Sequence, residues 1–255
     1  MMTTEAVDLT CDSFLGGALR IWQPRGGYRA GVDPVLLAAS IPARQNQSIL
    51  DLGCGAFVAG LCLARRVPGL DLTGLERHPD YAALAERNAA DNDIHATVMT
   101  GDLAEIPAAL RDRQFDHVIA NPPYLDRTRG KSAENALRET ALGEETSLEV
   151  WVKQAAKRTR PGGLVTMIQR ADRLPELISA AQMHLGSLEV LPLLPRQGRN
   201  ARLILLRGKA GGRTAFRLHA GIVMHQGASH QRDGEDYTPQ IARILRKSGE
   251  LQFPE

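Results

Sequence analysis

Four consecutive residues, Asn121-Pro122-Pro123-Tyr124, follow directly on an apolar run, Phe115–Ala120. An exocyclic or amide nitrogen is a poor nucleophile because its lone pair is delocalised into the adjacent π-system. Two acceptors, the Asn121 side-chain oxygen and a proline carbonyl such as that of Pro122, can receive its two N–H bonds and orient the nitrogen toward an electrophile. Pro122 and Pro123 add rigidity through their fixed φ, and Tyr124 offers a face on which a base can stack. No general base is required before attack. Alone, the tetrapeptide reads better as a Pro-Pro loop that stops a strand. Its place at the end of a fourth strand, after a glycine-rich turn, reverses that reading.

The turn is Ile49-Leu50-Asp51-Leu52-Gly53-Cys54-Gly55-Ala56, an apolar strand opening into a helix. Glycines let a backbone approach a ligand, and the first N–H groups of a helix favour anionic or polar acceptors. The next strand, Leu70–Leu75, ends in Glu76, whose carboxylate can accept hydrogen bonds from both hydroxyls of a ribose. The third strand ends in Gly101-Asp102, a further polar group at the same sheet edge. A dinucleotide or S-adenosylmethionine (SAM) would suit such an edge. The pyrophosphate fingerprint G-x-G-x-x-G fails at Val58, which favours SAM, a ligand with no phosphates to cradle.

These groups need elements to position them. From Ser48 to Arg207 short apolar runs alternate with helix-like stretches, the pattern of a parallel α/β sheet. Seven strands are expected: Ile49–Leu52, Leu70–Leu75, His95–Thr100, Phe115–Ala120, Leu164–Gln169, Leu188–Leu193 and Arg202–Arg207. Helical spacing covers Val58–Arg66, Asp80–Ala90, Ser147–Arg158 and Pro175–Leu185, with Pro161-Gly162-Gly163 as a stop before a strand. Ahead of the sheet, Asp33-Pro34 opens a short helix through Val35–Ala39, and Gly16 to Tyr28 reads as turns or a hairpin. After it, Phe216–Met224 is strand-like, Gly227–Tyr237 a loop and Pro239–Lys247 a helix. The expected division is an N-terminal hairpin and helix segment over 1–45, a core over 46–210 and a packed C-terminal extension over 211–255.

With 255 residues, 43% apolar and 24% charged, the chain can bury a sizeable core. No apolar run approaches the roughly 20 residues of a membrane helix and no charged start precedes one, so the cytoplasm is the expected compartment. Cys11, Cys54 and Cys62 form no C-x-x-C pair and read as reduced thiols. The net charge of +2 conceals 14 Lys/Arg against 21 Asp/Glu over 1–150 and 17 against 8 over 151–255. The basic half includes Arg196, Arg199, Arg202, Arg207, Lys209, Arg213 and Arg217, a set that could neutralise RNA phosphates. Arg127, Arg129 and Lys131 follow the tetrapeptide, where the backbone of an extruded nucleotide would pass. His219, His225, His230 and Asp233 cluster in sequence, but their spacings match no ligand pattern and no metal is expected. His117 reads as a core or surface histidine, and Trp22 and Trp151 as packing anchors.

Together, Asp51-Leu52-Gly53-Cys54-Gly55, Glu76, Gly101-Asp102 and Asn121-Pro122-Pro123-Tyr124 resemble class I SAM-dependent methyltransferases that modify planar amino groups. More narrowly, Phe14-Leu15-Gly16-Gly17, Gln23-Pro24, Gly27 to Asp33 with Leu36-Leu37, and Phe115-Asp116 resemble the bacterial valine-tRNA adenine-N6 methyltransferase family, over most of the chain. The resemblance implies a Rossmann-like seven-stranded sheet with helices on both faces. It implies SAM as cofactor, with Asp51 and the Gly53, Cys54, Gly55 and Ala56 turn at the methionine part, Glu76 at the ribose and Asp102 with Leu103 at the adenine. Tyr28 and Asp33 would shape the cofactor pocket. Asn121, Pro122 and Tyr124 would clamp the target base, with Pro123, Arg127, Arg129 and Lys131 on the RNA. The implied activity is methyl transfer to N6 of an adenine in tRNA, which requires the nucleotide to leave its stack. The same clamp suits a protein glutamine amide, and a catalytically silent RNA-binding homologue is a third reading. The chain departs from the family at Phe57, where a third glycine is usual; its ring is expected to crowd the methionine carboxylate.

Overall fold

A computed structural model describes residues 8–124, 146–227 and 236–254. The chain opens with an antiparallel hairpin of β1 (Leu9–Phe14) and β2 (Leu19–Pro24), closed by a 3-10 turn in which Gly16 and Gly17 take φ of 66° and 100°. A helix, α1 (Asp33–Ala39), follows with Pro34 in its first turn, where a missing N–H costs nothing. Strands and helices then alternate through β3 (Ser48–Leu52), α2 (Val58–Arg66), β4 (Asp71–Glu76), α3 (Pro79–Asp91), β5 (Ala96–Thr100), the single-turn α4 (Ala108–Arg111) and β6 (Phe115–Ala120). Beyond residue 145 come α5 (Leu148–Arg158), β7 (Thr159–Arg170), α6 (Leu174–Gln182), β8 (Gly186–Leu194) and β9 (Leu203–Lys209). Ser147 caps α5 by accepting from the Val150 N–H at 3.4 Å. Two short strands, β10 (Arg217–Leu218) and β11 (Ile222–Val223), and α7 (Pro239–Lys247) complete the described elements.

All seven expected strands occur, in the spatial order β5-β4-β3-β6-β7-β9-β8. They run parallel except β9, which is antiparallel to both β7 and β8. Strand residues alternate between two cores. Ile49, Ile119, Ile168 and Leu205 face α1, α2, α3 and α7, while Leu50, Val118, Met167 and Leu206 face α5 and α6. The strand order reverses between β3 and β6, and a doubly wound sheet opens a crevice at the carboxyl ends beside that reversal. Asp51, Glu76 and Asn121 all stand at that edge, each within one residue of the end of its strand.

The hairpin is held by two buried asparagines one turn apart, Asn88 on α3 and Asn92 capping its C-terminal end. Asn88 accepts from the Trp22 N–H (2.8 Å) and donates to the Trp22 and Ala56 carbonyls (3.1 and 3.0 Å); Asn92 accepts from the Arg20 N–H (2.9 Å) and donates to the Arg20 carbonyl (2.8 Å). Each amide offers β2 the donor and acceptor that a neighbouring strand would.

Some boundaries differ from the pattern. Pro161-Gly162-Gly163, expected as a stop, lies inside β7, where a register shift opposite Phe115 and His117 and a φ of 80° at Gly162 accommodate it. The single strand expected over Phe216–Met224 is two two-residue strands, both parallel to β8. They are broken near Gly221, where a Cβ would come within 1.9 Å of Leu194 Cδ1. No helix among the described residues is long and apolar enough to cross a membrane.

Candidate active site

Gly53 and Gly55, with φ of 64° and 53°, fold the turn after β3 back on itself, a conformation open to glycine. A Cβ on Gly53 would lie 2.3 Å from the Trp151 ring, so α5 packs directly on the turn, whereas a Cβ on Gly55 would meet nothing within 4 Å. Phe57 is also left-handed (φ 67°), which strains a bulky residue by roughly 1–2 kcal/mol. Its ring is fully buried against Gly60 and Gly74. The crowding expected of Phe57 therefore does not occur: the ring lies in the core, and the neighbouring cleft wall is Ala56, Val58 and Ala59.

A narrow cleft open to solvent lies at this edge. Asp51, Gly53 and Cys54 line it from β3 and the turn, Tyr28 from the segment after β2, Tyr81 from α3 and Asn121 from the end of β6. Asp51 is buried, and among the described residues its hydrogen bond comes from the Gly60 N–H (3.1 Å). Burial pushes its carboxyl up to about 7; the Gly60 bond opposes this and the charge of Glu76 adds to it. A buried carboxylate with one donor is underpaired, and an ammonium group in the cleft would supply what it lacks. Glu76 accepts from the Gly55 N–H and the His78 N–H, both at 2.9 Å. Asp102 accepts from the Ala104 N–H (2.7 Å) and lies 3.8 Å from Arg77, with Leu103 buried beside it.

Asn121, Pro122 and Tyr124 each make a hydrogen bond to a residue outside the tetrapeptide. The Asn121 amide donates to the Tyr28 hydroxyl (3.0 Å), and the Tyr81 hydroxyl donates to the Tyr28 carbonyl (3.1 Å). Gln169, fully buried on β7, donates to the Pro122 carbonyl at 3.4 Å. The Tyr124 hydroxyl donates to Asp33 at 2.8 Å. Partial burial, then the charges of Asp33 and Asp51, pushes the Tyr28 hydroxyl up to about 12. Burial and Asp33 likewise hold Tyr124 well above its ordinary value, so both phenols keep their protons at neutral pH.

Tyr28, Asp51, Gly53, Cys54, Ala56 and Asn121 thus share one cleft, with Gly55, Glu76, Asp102 and Leu103 at the same edge. Tyr28 and Asp33, expected at the cofactor, are bonded to Asn121 and Tyr124. Pro123 is exposed beside the buried Pro122. Arg127, Arg129, Lys131, His230 and Asp233 lie outside the described residues. His225 bonds Asp236 at 2.8 Å and stacks on Tyr237, and burial lowers His117 to about 4. Gln169 and Tyr81 were not anticipated: a glutamine ending Val165-Thr166-Met167-Ile168 is a usable sign, whereas nothing local distinguishes Tyr81. Three basic residues of the C-terminal half have partners within the protein: the buried Arg196 with Asp236, the exposed Arg217 with Glu189, and Arg207 with the Ser40 carbonyl, its guanidinium over Phe253.

Residues 30–182 match the family model of the methyltransferase small domain. A tRNA1(Val) (adenine(37)-N6)-methyltransferase of Porphyromonas gingivalis is 32% identical over 156 residues, which are 59% of this chain and 58% of that protein. A release factor glutamine methyltransferase of Geobacter sulfurreducens is 36% identical over 78 residues, 31% of this chain and 26% of that one. Among solved structures, a predicted O-methyltransferase from Agrobacterium tumefaciens has a TM-score of 0.71 at 27% identity, over 88% of this chain and 100% of that chain. The cofactor is S-adenosyl-L-methionine, and the turn, the underpaired Asp51 and Glu76 are compatible with it. The chain spans about three fifths of the length of the curated tRNA1(Val) methyltransferases it matches first; the family model spans the strands that carry these residues, and the chain belongs to the methyltransferase small domain family, on the class I Rossmann-like fold.

Proposed function

We propose that this enzyme transfers a methyl group to the exocyclic N6 amino group of an adenine in tRNA. The observation that carries this reading is the braced clamp of Asn121, Pro122 and Tyr124 at the edge where the glycine-rich turn ends. When bound, SAM supplies an electrophilic sulfonium methyl. Asp51 would hold its ammonium, the Gly53–Ala56 turn the rest of its methionine part, Glu76 its ribose hydroxyls, and Asp102 with Leu103 its adenine. Because the Asn121 amide nitrogen is given to Tyr28, the amide oxygen is the atom left to accept one N–H of the target. The Pro122 carbonyl, which has two lone pairs, accepts from Gln169 and keeps one for the other N–H. Fixing both N–H bonds aims the nitrogen lone pair at the cofactor side of the cleft. Tyr124, its hydroxyl fixed on Asp33, presents its ring to the base.

The P. gingivalis relative and the basic C-terminal half support RNA as the substrate. Reaching an amino group in structured RNA needs an extruded nucleotide, whose backbone Arg127, Arg129 and Lys131 would meet with Pro123. In this reading the 1–45 segment braces the clamp, 46–210 is the catalytic core, 211–255 packs on it, and the enzyme works where tRNA is, in the cytoplasm. The second reading, transfer to a protein glutamine amide, is favoured by the G. sulfurreducens relative, since that nitrogen is equally planar. Incubation with methyl-labelled SAM and separate tRNA, ribosomal RNA and protein pools decides between them. Label recovered from tRNA as N6-methyladenine is the expected result; label recovered as N5-methylglutamine overturns it.

A further inference from the structure

We propose that the β8–β9 loop, residues 195–202, is a docking surface for the phosphate backbone of the RNA whose base enters the clamp, with Arg199 and Arg202 as its contacting cations. The inference rests on the RNA reading above and names the surface that reading requires. Of the seven basic residues noted between Arg196 and Arg217, Arg196 and Arg207 are engaged inside the protein, and Arg217, though half exposed, is paired with Glu189. The other four, Arg199, Arg202, Lys209 and Arg213, are exposed and have no side-chain partner among the described residues. They fall at opposite edges of the sheet. Because β9 is reversed, its first residue, Leu203, pairs with Arg170, the last residue of β7, and with Leu193, the last but one of β8. Lys209, at its other end, pairs with Leu164 and Gly186 at the far edge.

Arg202 therefore stands on the clamp's edge. Its carbonyl accepts from the Ala171 N–H at 2.9 Å, two residues after Gln169, whose side chain reaches the Pro122 carbonyl. With strands about 4.8 Å apart, the start of β9 is roughly 10 Å across the sheet from β6. A stacked strand covers that in about three nucleotides at 3.4 Å each. The loop is built rather than slack: Arg196 pins its start through Asp236 and the Gln226 carbonyl, and the Arg199 N–H closes a turn on the Arg196 carbonyl at 3.1 Å. It contains no acid, and the acids on the next element are engaged, Asp172 with Arg170 and Glu176 with Arg173. Two exposed guanidinium forks on a fixed turn suit phosphate oxygens.

The test compares the full-length wild type with R199E/R202E and, as a charge-matched control, K209E/R213E. Fluorescence anisotropy with pooled tRNA, run as a salt titration, reads binding, and SAM calorimetry checks that each variant keeps its cofactor site. The R199E/R202E pair is expected to raise the tRNA Kd at least tenfold and to flatten the slope of log Kd against log salt by about two. Its kcat at saturating tRNA should be unchanged, and K209E/R213E should stay within about twofold of wild type. Equal loss in both variants, or none in R199E/R202E, overturns the surface. Wild type that methylates tRNA while R199E/R202E is unaffected sinks the surface alone; wild type that neither binds nor methylates tRNA sinks the RNA reading and the surface together.

Discussion

Tyr28 shows how one hydroxyl can settle which atom of an amide faces a substrate. It accepts from the Asn121 amide nitrogen, so Tyr28→Phe frees the amide to present N–H groups where an acceptor is needed. We expect kcat to fall about 10- to 100-fold, with the SAM Kd within about twofold. A raised SAM Kd at unchanged kcat would return Tyr28 to the cofactor role its motif implied. Asn121→Ala should lower transfer about 100- to 1,000-fold and also spare SAM affinity, read by calorimetry beside single-turnover rates. Asp51 carries a pH signature. Its carboxyl is raised from 3.8 to about 7, so the folded chain holds a proton that the unfolded chain releases between those values. Its contribution to stability is full below about 4 and is lost as pH rises to about 7. Melting curves should show wild type losing stability relative to Asp51→Asn across that window. SAM affinity should run oppositely and tighten as pH rises through about 7, because an ammonium needs the ionised carboxylate. Asp51, Glu76 and Asn121 were legible because each lies at or next to the end of an apolar run, whereas Tyr28 and Asp33 reach the clamp from distant positions that no local spacing reveals.

The strands and helices could largely be read from period and punctuation, since Val58–Arg66, Phe115–Ala120 and Pro239–Lys247 occur with the expected bounds. What escaped the pattern depends on tertiary contact. One is α4, a single turn too short for periodicity, and another is the early start of β7 through Pro161. The asparagine pair at the end of α3, Asn88 and its C-cap Asn92, is a third: a four-residue spacing of Asn looks like an ordinary helix surface until β2 is laid beside it. Removing one member leaves buried donors and acceptors unmet. Asn88→Ala should destabilise by about 2–4 kcal/mol, measured by chemical denaturation, and because Asn88 also holds the Ala56 carbonyl it should weaken SAM binding several-fold. Wild-type stability in that variant would show that water replaces the ladder.

The three segments drawn from the sequence share one core. Leu19 and Ile21 from the hairpin, Leu61 from α2, and Ile241 and Ile244 from α7 are all fully buried within it. The chain should therefore unfold in one calorimetric transition. Ile244→Ala should lower its midpoint and cost about 2–5 kcal/mol. Two separated transitions would mean that the C-terminal extension folds independently. The charge imbalance between halves was visible in composition, but its arrangement was not, because buried pairs such as Arg196–Asp236 look like any other charges in a linear sequence. The reversed β9 has one further consequence. Parallel neighbours must be joined by a long crossover, usually a helix, whereas an antiparallel neighbour needs only a short hairpin. Among the described residues, the β8–β9 connection is therefore a link near the clamp whose length and composition can drift without moving a helix, at a closure cost that grows only slowly with length. Over evolutionary time such a link can be rewritten for new substrates while the methyl-transfer machinery stays as it is, and in the laboratory it is the natural site for grafting.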